Sequence, residues 1–466
     1  MSAGPAPNTI ENRFLTRPVG GLFLLNALPM AVVMSMGGLL NVIDGIFVGR
    51  FVGASALAAV SLAFPVVMLL TALTTLTGGG MSSLFARYLG AGARTRAAEV
   101  FAGAHGLALA ISVVLIAAGL TVGPALISAL AAGNAEVAGL AQSYLLILIL
   151  GAPIQFGLGL HADALRNEGR AGLIALLSGL VNLLNIGANY VAIVLLGLGV
   201  EGSAIGTVGA QALGLVLLLV VRARDGELLP IGALRQTSWL SGWPHIFSLG
   251  LPLCLTFVGM GLVASTVLLV IGTTTAAADH AALIAAYGVA TRLLGLAFLP
   301  QMAIALATQS ITGNNAGAGR MDRARDALRL AIGSAVVWCL GVTVCAAFAG
   351  KPLGALFSDD PDIIATVAAI LRPMTALYVV TGPILVLAMH FQAMGHPLRT
   401  AALTLIKPWV LTPILLIILN ALAGIEGLWF AFPIADAVIF VVAMALIRRV
   451  RLIAPVAIPQ SAKEAA

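Results

Sequence analysis

The sequence predicts an all-α integral membrane protein of twelve transmembrane helices in two parallel six-helix repeats. Three observations predict it: a composition too apolar for water, twelve apolar runs of spanning length, and short motifs that recur half a chain apart.

Of 466 residues, 60% are hydrophobic and only 9% charged, whereas an average soluble domain carries about 25% charged residues. A soluble fold of this size still needs polar cover over its surface, so the solvent for most of the chain is lipid bilayer. The net charge of +6 does not point to nucleic acid. The basic residues sit in short clusters between apolar runs and never build a long basic face interleaved with aromatics, so no nucleic-acid partner is expected. Cys254, Cys339 and Cys345 all fall inside apolar stretches and read as small buried hydrophobes. The first apolar run is too long for a cleavable signal and contains Asp44, so it reads as an uncleaved helix.

Taking runs of about 20 mostly apolar residues as spans, the first six fall near 19–48, 55–81, 97–121, 137–161, 171–197 and 203–222. The second six fall near 244–272, 281–309, 324–349, 363–392, 399–422 and 428–450. The chain then divides into an N-terminal segment 1–18, a first lobe 19–222, a linker 223–243, a second lobe 244–450 and a tail 451–466. Pro29, Pro65, Pro153, Pro252, Pro300 and Pro383 lie inside or at the ends of spans, which predicts tilts or kinks.

Orientation follows from the basic residues. Of the 24 Lys and Arg, all but Arg50, Arg292, Lys351 and Arg372 fall in one set of alternate segments. That set includes Arg166 and Arg170, Arg222 and Arg224, and Arg399 with Lys407. The positive-inside rule places it, with both termini, in the cytoplasm, and it requires an even number of spans.

The two halves repeat. Leu89-Gly90-Ala91-Gly92 with Ala97 answers Ala316-Gly317-Ala318-Gly319 with Ala324, at an offset of 227. Gly199-Val200-Glu201-Gly202 answers Gly424-Ile425-Glu426-Gly427 at 225, and Leu28-Pro29 answers Leu251-Pro252. Six spans per half give both halves one orientation, a parallel repeat about an axis along the membrane normal with a cavity between them. Gly197 to Gly202 formally matches a dinucleotide fingerprint, but no βαβ unit surrounds it. Phosphate-loop, His-Glu-x2-His and Gly-x-Ser-x-Gly motifs are all missing, so no enzyme activity and no cofactor are expected.

A charge at mid-bilayer costs at least about 2.5–3.5 kcal/mol, so a buried one usually faces a cavity. Asp44 is the clearest case, with Asn41 one turn back on the same face. Asn185 and Asn189, four apart on span 5, Thr207 on span 6 and Tyr144 on span 4 lie at a similar depth. One carboxylate ringed by amides and hydroxyls suits a proton or small-cation site. Asp436 on span 12 and Arg292 on span 8 are weaker candidates. Asp163, Arg166, Glu168 and Arg170 read as a solvated helix end, and His161 and His390 as equivalent positions near the inner ends of spans 4 and 10.

The stretch Asn41-Val42-Ile43-Asp44-Gly45-Ile46-Phe47-Val48-Gly49, then Ala56-Leu57-Ala58-Ala59-Val60 and Pro65, resembles the multidrug and toxic compound extrusion (MATE) transporters. Leu89 to Gly92, Arg166-Asn167-Glu168-Gly169, Gly199 to Gly202 and Gln309-Ser310-Ile311-Thr312-Gly313 are similar to later signatures of that family. The resemblance implies a V-shaped pair of lobes in a bacterial inner membrane. It implies export of cationic or amphipathic small molecules by a monomer in exchange for H+ or Na+. It looks closer to the DinF branch than to NorM, because acids matching the NorM second lobe are missing. In the DinF branch the first-span Asp sits with an Asn, an Asp and a Thr; Asp44, Asn185 and Thr207 match, and Asn189 stands where the second Asp is expected. The loss of that charged ligand favours H+ as coupling ion. Pro29 matches the proline at which the family's first helix bends, so protonation of Asp44 is expected to bend span 1 and shrink the first-lobe cavity. The rival is a flippase for a lipid-linked saccharide, which would need several cations in its cavity, where only Arg292 and Lys407 qualify. A passive channel is a rival of another class.

Overall fold

A computed structural model describes residues 12–131, 133–274 and 277–450. The tail 451–466 and residues 1–11 of the N-terminal segment lie outside the described residues. Ten described helices are long and apolar enough to cross a membrane, and two bent pairs raise the count to twelve if each pair is one crossing.

Spans 1 to 3 are Val19–Phe51, Ala54–Gly90 and Arg94–Thr121. Span 4 is the pair Ala135–Leu150 and Ala152–Asn167. Span 5 is Ala171–Asn189 continued by a π-helical turn, Tyr190–Leu195, and span 6 is Gly199–Arg224. Spans 7 to 9 are Trp243–Thr274, Ala277–Gly317 and Met321–Ala355. Span 10 is the pair Pro361–Thr375 and Tyr378–Ala393, span 11 runs over Pro397–Leu428, and span 12 is Ala431–Val450.

The sharp bends, 46° in span 4 and 52° in span 10, centre on Gly151 and on Ala376 with Leu377, equivalent places in the two halves. Span 1 instead runs unbroken through Pro29. The duplication is also written in the backbone. Gly92 and Gly319 have φ of 75° and 73°, Gly169 and Gly395 80° and 83°, Gly199 and Gly424 57° and 64°. Each pair closes the same turn in its own half, in a conformation that only glycine adopts at no steric cost.

The halves interlock at their first two spans: span 1 packs along span 8, and span 7 along span 2. The backbones touch where side chains are missing. A Cβ on Gly80 would stand 2.0 Å from the Ile246 carbonyl, and one on Gly250 1.8 Å from that of Leu76. Spans 2 and 8 continue past their apolar runs as helix to Gly90 and Gly317, where they cross reciprocally. Gly90 abuts Asn314, and Gly317 abuts Arg87; Asn314 is the equivalent of Arg87, so this is a self-complementary contact about a pseudo-two-fold axis.

This crossing marks the end of the bundle where most arginines gather, called here the basic end. A buried polar lock lies just inside it. Arg166, 1% exposed, donates to Asp163 (2.7 Å), to Ser82 (3.0 Å) and across the halves to the Leu306 carbonyl (3.3 Å). Gln392 and Gln309, the equivalents of Arg166 and Ser82, pair at 2.8 Å, and Gln309 reaches back to the Gly79 carbonyl (3.4 Å). Asn12 to Asn314 (2.8 Å) and Arg320 to the Leu15 carbonyl (2.7 Å) tie the N-terminal turn over the seam. The side-chain hydrogen bonds described between the halves all lie toward this end.

Several residues expected in water are therefore inside. Arg166 is buried in the lock, and Glu168 and Arg222, 6% and 0% exposed at their side chains, form a two-armed ion pair at 2.9 and 3.0 Å. Glu168 also accepts from the Leu229 backbone, strapping the linker to the first half. Lys407, counted with the loop cations, lies inside span 11 on a second π-helical turn, Lys407–Leu411. His161 and His390 are not equivalent: the register of the paired glycines sets Leu387 opposite His161. His161 packs edge-on against Phe101 and His105 at 5.1 Å, whereas His390 bonds Thr312 at 3.1 Å.

Candidate functional site

Asp44 lies two turns from the end of span 1, on an apolar helix whose neighbouring acceptors are already used by the backbone. Its partner comes from span 5. Asn189 donates through Nδ2 to Asp44 Oδ1 at 2.7 Å and to Asn185 Oδ1 at 3.3 Å. Asn185 in turn donates to the Thr207 hydroxyl at 3.2 Å. Asp44, Asn189, Asn185 and Thr207 thus form one chain across spans 1, 5 and 6, with both amides buried.

The site is held by close packing of spans 5 and 6. Gly202, Gly206, Ala210 and Gly214 form a small-residue stripe on one face of span 6, the spacing that lets membrane helices approach closely. A Cβ on Gly206 would stand 2.1 Å from Asn189 Oδ1. The π-helical turn Tyr190–Leu195 begins directly after Asn189, and such turns recur at functional sites. Reading spans as separate apolar runs did not single out Gly206; the four-residue spacing of small side chains was the available signal.

Tyr144 is half-buried and packs on Val48, Ala56 and Val200, which sets it one turn from Asp44. Pro29 lies far along span 1 from the site, half-buried near Asn26, whose amide bonds the Leu22 carbonyl at 2.7 Å. The side chain of Asn41 lies outside the described residues. Asp436 is remote from Asp44 and pairs with Lys407, while Arg292 is exposed in a groove with Phe357, Ser358 and Ile363.

Asn189 Oδ1 is buried with no hydrogen-bond partner. The amide therefore presents its N–H to a carboxylate while its acceptor is unused. Protonation turns Asp44 from a pure acceptor into a donor, and an amide is the side chain that serves both states by turning over.

A twelve-helix duplicated bundle with an isolated carboxylate deep in one half, and polar groups gathered around it, has the architecture of a secondary transporter. A family model described as MatE matches residues 29–191 and again 252–422, one copy in each half. The chain belongs to the MatE family, and like the family's members it is a transporter and not an enzyme. It is 26% identical over 447 residues to the FAD transporter of Shewanella oneidensis, covering 94% of this chain and 96% of that one. It is also 26% identical over 447 residues to the multidrug export protein MepA of Staphylococcus aureus, covering 94% and 95%. Among solved structures, the outward-facing conformation of a multidrug resistance MATE family transporter superposes with a TM-score of 0.85 at 27% identity, covering 96% of this chain and 98% of that one. A MOP superfamily transporter from Pyrococcus furiosus superposes at 0.84 with 26% identity and the same coverage.

Proposed function

We propose that the chain is a multidrug efflux antiporter that exports cationic or amphipathic small molecules in exchange for H+ by alternating access. The observation that carries this reading is the Asp44–Asn189 bond, a carboxylate held by an amide whose acceptor oxygen is unsatisfied. Asp44 with Asn185, Asn189 and Thr207 is the coupling site, and Tyr144 adjoins it. Na+ is the less favoured ion, because only one of the oxygens here carries charge and hard cations are held by carboxylate-rich shells. The likeness to MepA, named as a multidrug export protein, supports export of drugs. The Asp44, Asn185 and Thr207 set, without acids matching the NorM second lobe, supports the DinF branch over NorM.

The basic end faces the cytoplasm of a bacterial inner membrane, with the protein a monomer in the bilayer, since positive charge marks the inner side. The lock at that end supports an outward-open state. Protonation of Asp44 from outside ends its acceptance of the Asn189 N–H, the amide turns over, and span 1, unbroken here, bends near Pro29, narrowing the first-half cavity and expelling substrate. A lipid-linked saccharide flippase is less well supported. Lys407 is engaged with Asp436 and Arg292 lies apart, so no cation cluster for a pyrophosphate forms among the described residues.

The test is efflux of ethidium from cells expressing wild-type or Asp44→Asn protein, under a pH gradient and a Na+ gradient imposed separately. Efflux driven by the pH gradient and lost in the variant is the expected result. A well-expressed protein with no efflux under either gradient would move the assignment to the flippase.

A further inference from the structure

The second half holds a polar cluster of its own, unlike the one around Asp44. Lys407 of span 11 bonds Asp436 of span 12, and Thr381 of span 10 donates to the same carboxylate oxygen at 3.4 Å. Tyr378, one turn before Thr381, donates to Gln301 of span 8 at 3.0 Å, and Cys339 of span 9 approaches that amide oxygen at 3.7 Å. Five helices of the bundle therefore meet at one polar centre. By the register of Gly169 with Gly395 and of Gly199 with Gly424, Val181 and Gln211 stand at the places of Lys407 and Asp436 in the first half, so the charge pair has no counterpart there.

Four features set this centre apart from a simple brace. First, the two partners are unequally covered: the Asp436 side chain is 4% exposed and that of Lys407 27%. Lys407 shares its helix face with buried Leu403 and Thr404, while the outward face carries Trp409 and Val410, so the space it meets is inside the bundle. Second, Lys407 opens a π-helical turn whose bond runs from the Thr412 N–H to the Lys407 carbonyl. Third, that turn stacks Thr412 beside Lys407, and the Thr412 hydroxyl is buried without a partner. Fourth, the amide nitrogen of Gln301, fully buried, has donors to spare and no acceptor. An ammonium and an amide N–H2 are donors only, and the hydroxyl adds a third donor, so the centre holds spare donors for an added acceptor.

We infer that the second bundle contains an oxyanion-receiving subsite, with Lys407 as its cation and Asp436 as the resting counter-ion that the incoming anion displaces. The group it takes is a carboxylate, sulfonate or phosphate carried on an amphipathic body, either a solute or a lipid headgroup. The inference extends the transport reading above to substrates bearing negative charge and rests on that reading for its role in export. Binding itself does not depend on which ion drives transport.

The experiment is equilibrium binding of carboxyfluorescein and, separately, ethidium to purified protein in phosphatidylcholine vesicles, read by fluorescence anisotropy. The key variant is Lys407→Asn with Asp436→Gln, which replaces both charges by amides and leaves no unpaired charge. It is expected to weaken carboxyfluorescein binding by about tenfold or more while leaving ethidium nearly unchanged. Asp436→Asn alone, which frees Lys407, is expected to tighten carboxyfluorescein binding. Adding phosphatidylglycerol to the vesicles separates the sources: competition with the dye in wild type assigns the subsite to lipid headgroups, and none assigns it to solutes. Wild-type protein that does not bind carboxyfluorescein, or a double variant that binds it as wild type does, overturns the inference. Equal loss of both dyes in the double variant also overturns it and makes the pair a brace. Failure of pH-driven ethidium efflux with these binding results intact would refute the coupling assignment alone.

Discussion

Gly206 faces Asn189 so closely that a Cβ on it would stand 2.1 Å from the amide oxygen. The hydrogen bond from Asn189 to Asp44 thus depends on a missing side chain on a third helix. Gly206→Ala should push the amide off the carboxylate. A hydrogen bond to a charged group contributes about 1.5–3 kcal/mol, so ethidium efflux should fall by about tenfold or more while expression is kept. Gly209→Ala, on the same helix with open space around it, should behave as wild type in the same efflux assay.

The reciprocal crossing at the basic end makes a second prediction. Gly90→Ala and Gly317→Ala each drive a methyl into the backbone of the other half, at 1.8 and 1.9 Å. Overpacking of this kind costs about 1–3 kcal/mol. Because the contact is self-complementary, the two variants should lower the melting temperature by similar amounts. Unequal losses, with one variant neutral, would argue against the pseudo-two-fold relation.

Asp163 and Arg166 carry the charged arm of the lock. Asp163→Asn leaves a fully buried guanidinium without its carboxylate, and breaking such a pair costs about 3–5 kcal/mol. The halves should then part more readily at the basic end. In a cysteine-free background, a cysteine at Ser310, itself fully buried, should be labelled by maleimide faster in Asp163→Asn than in wild type.

His396, in the turn before span 11, gives a pH dependence. Burial, with Arg399 and Arg87 nearby, pushes its pKa down to about 4, from a usual value near 6.5. The unfolded chain therefore binds a proton that the folded one refuses. The stability this residue contributes is present above about pH 6.5 and is lost as pH falls toward about 4. Thermal melts across that window should show the loss, and His396→Gln should flatten it.

Much of this was legible in the sequence, and the parts that were not share a cause. Apolar runs gave the spans because lipid imposes a simple length rule. The spacing of Asn185 and Asn189 put both amides on one face, and the structure brings that face to Asp44 and Thr207. Residues 82–90 and 310–317, however, lie beyond the apolar runs and continue them as helix. What buries them is the other half of the protein rather than lipid, and hydropathy does not see a partner. Arg166, Arg222 and Lys407 were misread for the same reason. A charge counts as a loop signal until its counter-ion is known, and Asp163, Glu168 and Asp436 supply one only in three dimensions. Gly206 was missed because a glycine's role there lies in the side chain it makes room for.

The most direct test of the central claim is proton release on substrate binding. Ethidium added to the purified protein in weakly buffered detergent, with a pH indicator, should release protons from wild type and none from Asp44→Asn, although the variant still binds the dye. Equal release from both proteins would mean that the exchanged proton sits elsewhere and would contradict the assignment of Asp44.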